Sequence, residues 1–331
     1  MVVRRGDVAL GRGGLRVGPL AFGGAPLGNL GSEVSDADWR GALQAAWDTG
    51  IRYFDTAPHY GLGLSEERFG AGLAGRPRDE FIVSTKVGRL LAPTTVSTRA
   101  TDDEGFAVPA TAVRVRDYSR DGVLRSLESS LKRLRLDRID VVFVHDPDDF
   151  YVAALDGAFP ALEELRRQGV IRSYGAGMNQ SHMLTEFVRN TDLDVVLLAG
   201  RYTLFEQGAL DDLLPLCEQR GVSVVAGGVF NSGLLATKRP SSHATYNYAP
   251  ASAEVRARAN RIADVCERHG VELPAAAAQF VLGHPAIATA CLGARSAAEV
   301  ERNAHLLDAP VPEDLWSDLK GDGLMHPEAP H

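Results

Sequence analysis

The sequence predicts an α/β fold, a (β/α)₈ barrel with an N-terminal β-hairpin and long loops at the C-terminal face. Short apolar or β-branched runs alternate with longer segments of helical period along the chain, the pattern of βαβ units around a parallel sheet. Eight such pairs can be counted in 331 residues, which suits one closed barrel. No GxGxxG follows the first strand, as an open dinucleotide-binding sheet would require; GRGG at 11–14 lies before it, in the hairpin VALGRGGLRVG. We therefore expect a single domain over residues 1–331.

The strands are expected at 17–22, 52–56, 81–86, 140–145, 171–177, 194–199, 222–227 and 286–292, each short and apolar enough to be buried on both faces. The helices carry readable caps. Ser35 and Asp36 start the first and Gly50 closes it, while Ser65, Glu66 and Glu67 open the second. Two segments fall outside the count. The polar stretch 89–116 follows the third strand, which places it over the barrel mouth as a candidate substrate lid. Residues 310–331 give a further short helix and a Pro-rich end that either reaches the mouth or frays.

Hydrophobic residues make up 45% and charged residues 24%, enough for a large core, and the net charge of −8 without basic runs excludes a nucleic-acid reader. Cys217, Cys266 and Cys291 are odd in number and far apart, which fits reduced core thiols and a cytoplasmic protein. No segment approaches the apolar length of a membrane span, and the N-terminus lacks a signal-peptide core, so no membrane partner is expected.

Asp55, Lys86 and His145 stand at the ends of strands two, three and four, with Tyr60 in the loop after Asp55, so a barrel brings all four to one face. Singly, each has an ordinary structural use as cap, ion-pair partner, packed ring or core histidine. Together they have the parts of a proton-transfer site for hydride chemistry at a carbonyl. Tyr60 supplies a hydroxyl for the reacting oxygen, Lys86 lowers its pKa, Asp55 keeps the lysine charged, and His145 orients the substrate oxygen. A hydrolase reading is weak, because His59 and His145 lack a third metal ligand and no metal site is expected.

The runs GIRYFDTAPHYGLGLSEERFGAGL, FIVSTKVGR and SLKRLRLDRIDVVFVHDPD closely resemble the aldo-keto reductase superfamily, over nearly the whole chain. The resemblance places the family's tetrad on Asp55, Tyr60, Lys86 and His145, with Tyr60 as general acid/base. It implies a nicotinamide cofactor extended across the mouth. The adenosine end would lie on LGARSAAEVERNAHLL, with Gly293, Arg295 and Ser296 at a helix N-terminus suited to phosphate and Asn303 at the adenine. Glu299 stands where many NADP-dependent relatives carry arginine or glutamine, which favours NAD; Arg295 could pair with a phosphate and keeps NADP open. A solvated helix-face charge is the competing reading of Glu299.

Gly24 belongs to the same expected cofactor site. Around the nicotinamide the resemblance implies Asn179 and a stacking ring from Tyr202, with Gly228, Phe230, Ser232 and Gly233 covering the pyrophosphate. Ala199 and Gly177 replace the usual glutamine and serine. Asn29, Leu30 and Tyr118 are candidates to line the substrate pocket, each equally readable as a loop support. The signatures look most like the branch that oxidises aldoses such as L-fucose to lactones with NAD, with pyridoxal oxidation and general aldehyde or ketone reduction as runners-up. A cofactor-sensing regulatory subunit with slow redox chemistry is the reading from another class. The expected partner is a small carbonyl or sugar, and the expected assembly a monomer or small homo-oligomer.

Overall fold

The computed structural model describes residues 6–94 and 101–330. Eight parallel strands close into a barrel in chain order: β1 (Leu20–Gly23), β2 (Tyr53–Asp55), β3 (Ile82–Val87), β4 (Val141–His145), β5 (Ser173–Met178), β6 (Val195–Ala199), β7 (Ser223–Gly227) and β8 (Ile287–Gly293). All eight coincide with the apolar runs of the sequence. Most of their residues are buried, because the inner faces meet across the barrel and the outer faces lie under helices. The register sets Gly23 beside Asp55, Asp55 beside Ser84, Lys86 beside Phe143 and His145 beside Gly177, so the polar side chains gather at the C-terminal rim.

Helices follow the strands in turn: α1 (Asp36–Asp48), α2 (Leu64–Leu73), α3 (Arg120–Leu134), α4 (Phe159–Arg167), α5 (His182–Asn190) and α6 (Leu213–Arg220). The seventh unit carries two, α7 (Ala253–Arg268) and α8 (Leu273–Val281), where the sequence suggests one; α9 (Ala297–Asp308) follows β8. Ser35 caps α1 by accepting from the Asp38 amide at 3.1 Å, and Gly50 takes the left-handed conformation after it. The second cap is different from the expectation. Gly63 starts α2, and Ser65 is buried, donating its hydroxyl to Gly24 O at 2.8 Å and so tying the helix to the rim of β1.

The N-terminal hairpin (Val8–Leu10 with Leu15–Val17) closes the end of the barrel opposite the C-terminal rim. Leu10, Leu15 and Val17 join Tyr53, Val141, Val195 and Val225 in the inner core. GRGG is therefore a plug rather than a phosphate loop. Arg12 pairs with Asp192 at 2.8 Å, and Gly13 passes so close to Arg172 that a Cβ there would stand 2.1 Å from its carbonyl oxygen. The chain end forms α10 (Glu313–Gly321), whose Leu315, Trp316 and Leu319 are buried. His326 N donates to Gln207 at 2.8 Å, so the described part of the tail packs on the barrel's flank and does not line the mouth. The three cysteines are free and buried, and among the described residues no helix is long and apolar enough to cross a membrane.

Gly13→Ala forces the hairpin off its seat. It is expected to destabilise the protein by about 1–3 kcal/mol in denaturant unfolding; an unchanged midpoint would mean that the plug is loosely held.

Candidate active site

The site is organised around a buried ion pair. Lys86 Nζ donates to Asp55 Oδ2 at 2.7 Å and to Thr56 O at 2.9 Å, and the Ser84 hydroxyl donates to the other Asp55 oxygen at 2.7 Å. Lys86 is 1% exposed and Asp55 3%. Burial disfavours the ammonium, yet Asp55 and Tyr60 together outweigh it and hold Lys86 above its ordinary pKa, fully charged.

The Lys86 ammonium sits 4.6 Å from the centre of the Tyr60 ring, close enough to act on its hydroxyl. Burial drives the phenol well above its usual value, and Lys86 pulls it back only in part. The expected lowering by Lys86 thus acts in the right direction, but desolvation is larger. In this state Tyr60 is a protonated phenol, ready to donate. The His145 ring stands edge-on to Tyr60 at 5.9 Å, and burial, with Arg89 and Lys86 nearby, holds it neutral. It can hydrogen-bond a substrate oxygen without adding charge.

Two connected cavities open at this rim. A glycine-walled groove of about 340 Å³ runs past Gly23, Gly24, Asp55 and Tyr60 to Gly228, Phe230, Ser232, Gly233 and Gly293. A second cavity of about 640 Å³ holds Lys86, His145, His59, Arg89 and Phe106. Asn179 lines both, as do Leu30 and Tyr60. The groove leads to Tyr60, and its glycines allow close packing beneath it: a Cβ at Gly24 would stand 2.3 Å from the Phe69 ring, and one at Gly293 2.7 Å from Pro26. Arg295 reaches the second cavity and is anchored to Ser32 and to the Leu30 carbonyl.

Several candidates stand elsewhere. Tyr202 is 1% exposed, its ring packed against Phe280 at 5.1 Å and His284 at 5.6 Å; after β6 the chain turns at left-handed Gly200, which presents Arg201 to the groove and sends Tyr202 into the helix layer. It cannot stack on a ligand in the groove. Asn29 and Tyr118 are loop supports. Asn29 accepts from the Val34 amide and the Arg68 guanidinium, and the Tyr118 hydroxyl donates to His145 O at 2.8 Å. Ser296 caps α9 by accepting from Glu299 N at 3.4 Å, while the Glu299 carboxylate accepts from Arg295 N at 2.8 Å. Glu299 is exposed, as a helix-face charge would be, but its carboxylate also takes the amide just before the cap. Asn303 is mostly buried and donates to Gly293 O at 3.3 Å.

The 89–116 segment contains an antiparallel hairpin, Arg89–Pro93 with Ala112–Arg116; residues 95–100 of it lie outside the described residues. It crosses the mouth as the sequence suggests. Gly31 N donates to Gly105 O at 2.8 Å, and Phe106 packs on His59 at 5.1 Å and on Tyr60 at 6.1 Å. The sequence reading missed Ser84, Arg89, Asp146, Phe106 and Tyr248 as site residues. Asp146 could have been found from its place beside His145. Tyr248 could not, because it reaches both cavities from a tight turn in which Asn247 and Tyr248 are both left-handed without any glycine to signal it.

A parallel barrel whose rim joins a lysine-backed tyrosine to a long open groove has the architecture of a barrel oxidoreductase. The model of the Aldo/keto reductase family matches residues 19–321, and the chain belongs to that family. It is 44% identical to D-threo-aldose 1-dehydrogenase from a Pseudomonas species, over 95% of this chain and 96% of that protein. It is 40% identical to pyridoxal 4-dehydrogenase from Microbacterium luteolum, over 96% and 97%. The holo form of an aldo-keto reductase from Bacillus halodurans superposes with a TM-score of 0.74 at 26% identity, over 98% and 97%. The protein is an NAD(P)-dependent oxidoreductase, as the resemblance in its sequence implies.

Because Tyr60 holds its proton above the ordinary phenol value, oxidation of an alcohol is expected to accelerate with pH without levelling off by about pH 10, where a free phenol would be half ionised; a plateau near neutral pH would contradict that protonation state. Tyr60→Phe is expected to lower kcat by about 10²–10⁴-fold with dinucleotide affinity, read by fluorescence titration, retained. Wild-type turnover in the variant would remove Tyr60 from the proton-transfer role.

Proposed function

We propose that this protein is an aldose 1-dehydrogenase of the L-fucose or D-threo-aldose type, a single catalytic domain that oxidises the anomeric carbon of a cyclic sugar to a lactone with NAD. The observation that carries the reading is the Tyr60–Lys86–Asp55 chain opening onto a largely apolar cavity that carries Arg89, Glu104 and Asp146 in its wall. The high similarity to a D-threo-aldose 1-dehydrogenase supports the same substrate class.

When bound, the oxidised nicotinamide supplies the hydride acceptor. The protein's own groups manage the proton and the geometry. His145 and Tyr60 hold the anomeric oxygen; for oxidation Tyr60 must first give up its proton, and as the C1–H bond breaks and hydride leaves, the substrate hydroxyl proton passes to the Tyr60 phenolate and the C1–O bond becomes the lactone carbonyl. Lys86 stabilises the tyrosine's anionic form, and Asp55 keeps that lysine charged through the cycle. Run backwards, the same groups protonate a carbonyl oxygen.

Gly24, Asn179, Gly228, Phe230, Ser232, Gly233 and Gly293 are the proposed cofactor contacts along the groove, with Arg295, Ser296, Glu299 and Asn303 at the start of α9. The Glu299 carboxylate already accepts an amide there, so a 2′-phosphate would meet like charge where the free 2′-hydroxyl of NAD would find an acceptor. Pyridoxal is the second reading, favoured by Phe106 and Tyr60, whose tilted rings stand 6.1 Å apart beside the reacting site.

Reduced-nicotinamide absorbance with NAD or NADP against L-fucose, D-arabinose, L-galactose, D-xylose and pyridoxal tests the reading. The expected result is fast turnover with one or more aldoses and a kcat/KM at least about tenfold higher with NAD than with NADP. Turnover with pyridoxal alone would transfer the reading to that substrate. Silence across the panel with cofactor still bound would point to a regulatory subunit.

A further inference from the structure

The residue after the catalytic histidine is Asp146, and its backbone is left-handed at φ 37°, a costly conformation for a residue other than glycine. Its surroundings hold it there. Asp146 N donates to Gly177 O at 3.1 Å, and its carbonyl accepts from the Tyr118 hydroxyl at 3.0 Å. The side chain lines the larger cavity. There Oδ2 accepts from Arg89 Nη2 at 2.5 Å and lies 3.5 Å from His145 Nε2. Among the described residues, both of these carboxylate contacts fall on the one oxygen, Oδ2. Beside it, Arg89 Nε and His59 Nδ1 are buried without a hydrogen-bond partner among the described residues.

The wall thus offers acceptors and donors side by side, with little net charge to attract an ion. Asp146 offsets Arg89, Asp102 offsets Arg114 at 2.6 Å, and Asp55 offsets Lys86. Burial, reinforced by the neighbouring Arg89, drops the pKa of His59 to about 2, so its ring is neutral. An uncharged ligand with adjacent hydroxyls matches such a wall, because each hydroxyl both donates and accepts. The spacing fixes which hydroxyl. Asp146 Oδ2 lies 3.5 Å from His145 Nε2, the group placed to hold the reacting oxygen, so the hydroxyl within its reach is the one on the adjoining carbon.

We propose that Asp146 and Arg89 form the subsite that reads the hydroxyl on the carbon next to the reacting carbon, Asp146 accepting from it and Arg89 donating to it. The inference rests on the aldose reading above and deepens it, since it names what in the sugar is recognised. A buried site built to hydrogen-bond a hydroxyl rejects the analogue lacking it strongly, because its polar groups are then left unpaired. The left-handed backbone at Asp146 is the strained feature expected of such a specificity device.

The test compares L-fucose with 2-deoxy-L-fucose in the wild type, in Asp146→Asn and in Arg89→Met, by kcat/KM with NAD and by calorimetric binding of each sugar to the cofactor-bound protein. Circular dichroism melting reports whether each variant is folded. The wild type is expected to prefer the parent sugar by about 10²-fold or more. That preference is expected to fall below about tenfold in either variant, because kcat/KM drops for L-fucose but little for the deoxy sugar. A merely structural role would lower both sugars together and preserve the ratio, and that result would overturn the proposal. So would a wild type that oxidises L-fucose and its 2-deoxy analogue equally well, in which case the aldose reading stands without this subsite. If one variant fails to fold, the other decides. A wild type that neither oxidises nor binds either sugar, nor any aldose of the panel, would overturn the aldose reading itself and this inference with it.

Discussion

The Lys86–Asp55 ion pair is the constraint on which the rest of the site depends. Two charges almost wholly removed from water survive only if each is paired and hydrogen-bonded, and here the Thr56 carbonyl and the Ser84 hydroxyl complete the set. The partners sit at the ends of β2 and β3, so the pair forms only when the barrel register is correct. A one-residue slip would turn Asp55 or Lys86 to the other face of its strand and leave the remaining charge buried alone. The catalytic rim therefore specifies the register at its end of the barrel, while the N-terminal hairpin seals the other.

The same pair explains how a phenol can take part in proton transfer from a dry site. Burial alone would make Tyr60 inert, since its anion has no water to stabilise it; the lysine placed over its ring offsets part of that cost, and the lysine remains charged because of Asp55. His145 stays neutral under the same burial, and there the nearby Arg89 and Lys86 reinforce desolvation instead of opposing it. One low-dielectric environment thus holds both hydrogen-bonding groups neutral, and only Tyr60 has a cation beside it to stabilise its charged form.

Much of this was legible in the sequence, and the limits have physical causes. The eight strands could be read because a strand buried on both faces is a short continuous apolar run, and Asp55, Lys86 and His145 because they interrupt such runs at the ends. What depended on the direction of a loop could not be read. Tyr202 follows β6 closely, but a left-handed turn at Gly200 carries its ring outward; Ser65 looks like a helix cap, yet the helix already begins at Leu64 and its hydroxyl ties two rim loops together. Glu299 appears in sequence as a charge that selects the cofactor, whereas in the structure its carboxylate also takes the amide just before the helix cap. Tyr248 reaches the mouth through a turn without the glycine that usually announces one. In each case residue type was informative and side-chain direction was not, because direction is set by one or two backbone angles outside any periodic element.

The central claim is that a hydride leaves the anomeric carbon of a sugar at this rim. It is tested most directly by incubating the protein with NAD and L-fucose deuterated at C1, and following the label by mass spectrometry and NMR. The account predicts that the deuterium appears quantitatively in the reduced nicotinamide, on one face, while the sugar is recovered as an unlabelled lactone. Deuterium retained in the oxidised sugar, or released to solvent, would contradict it.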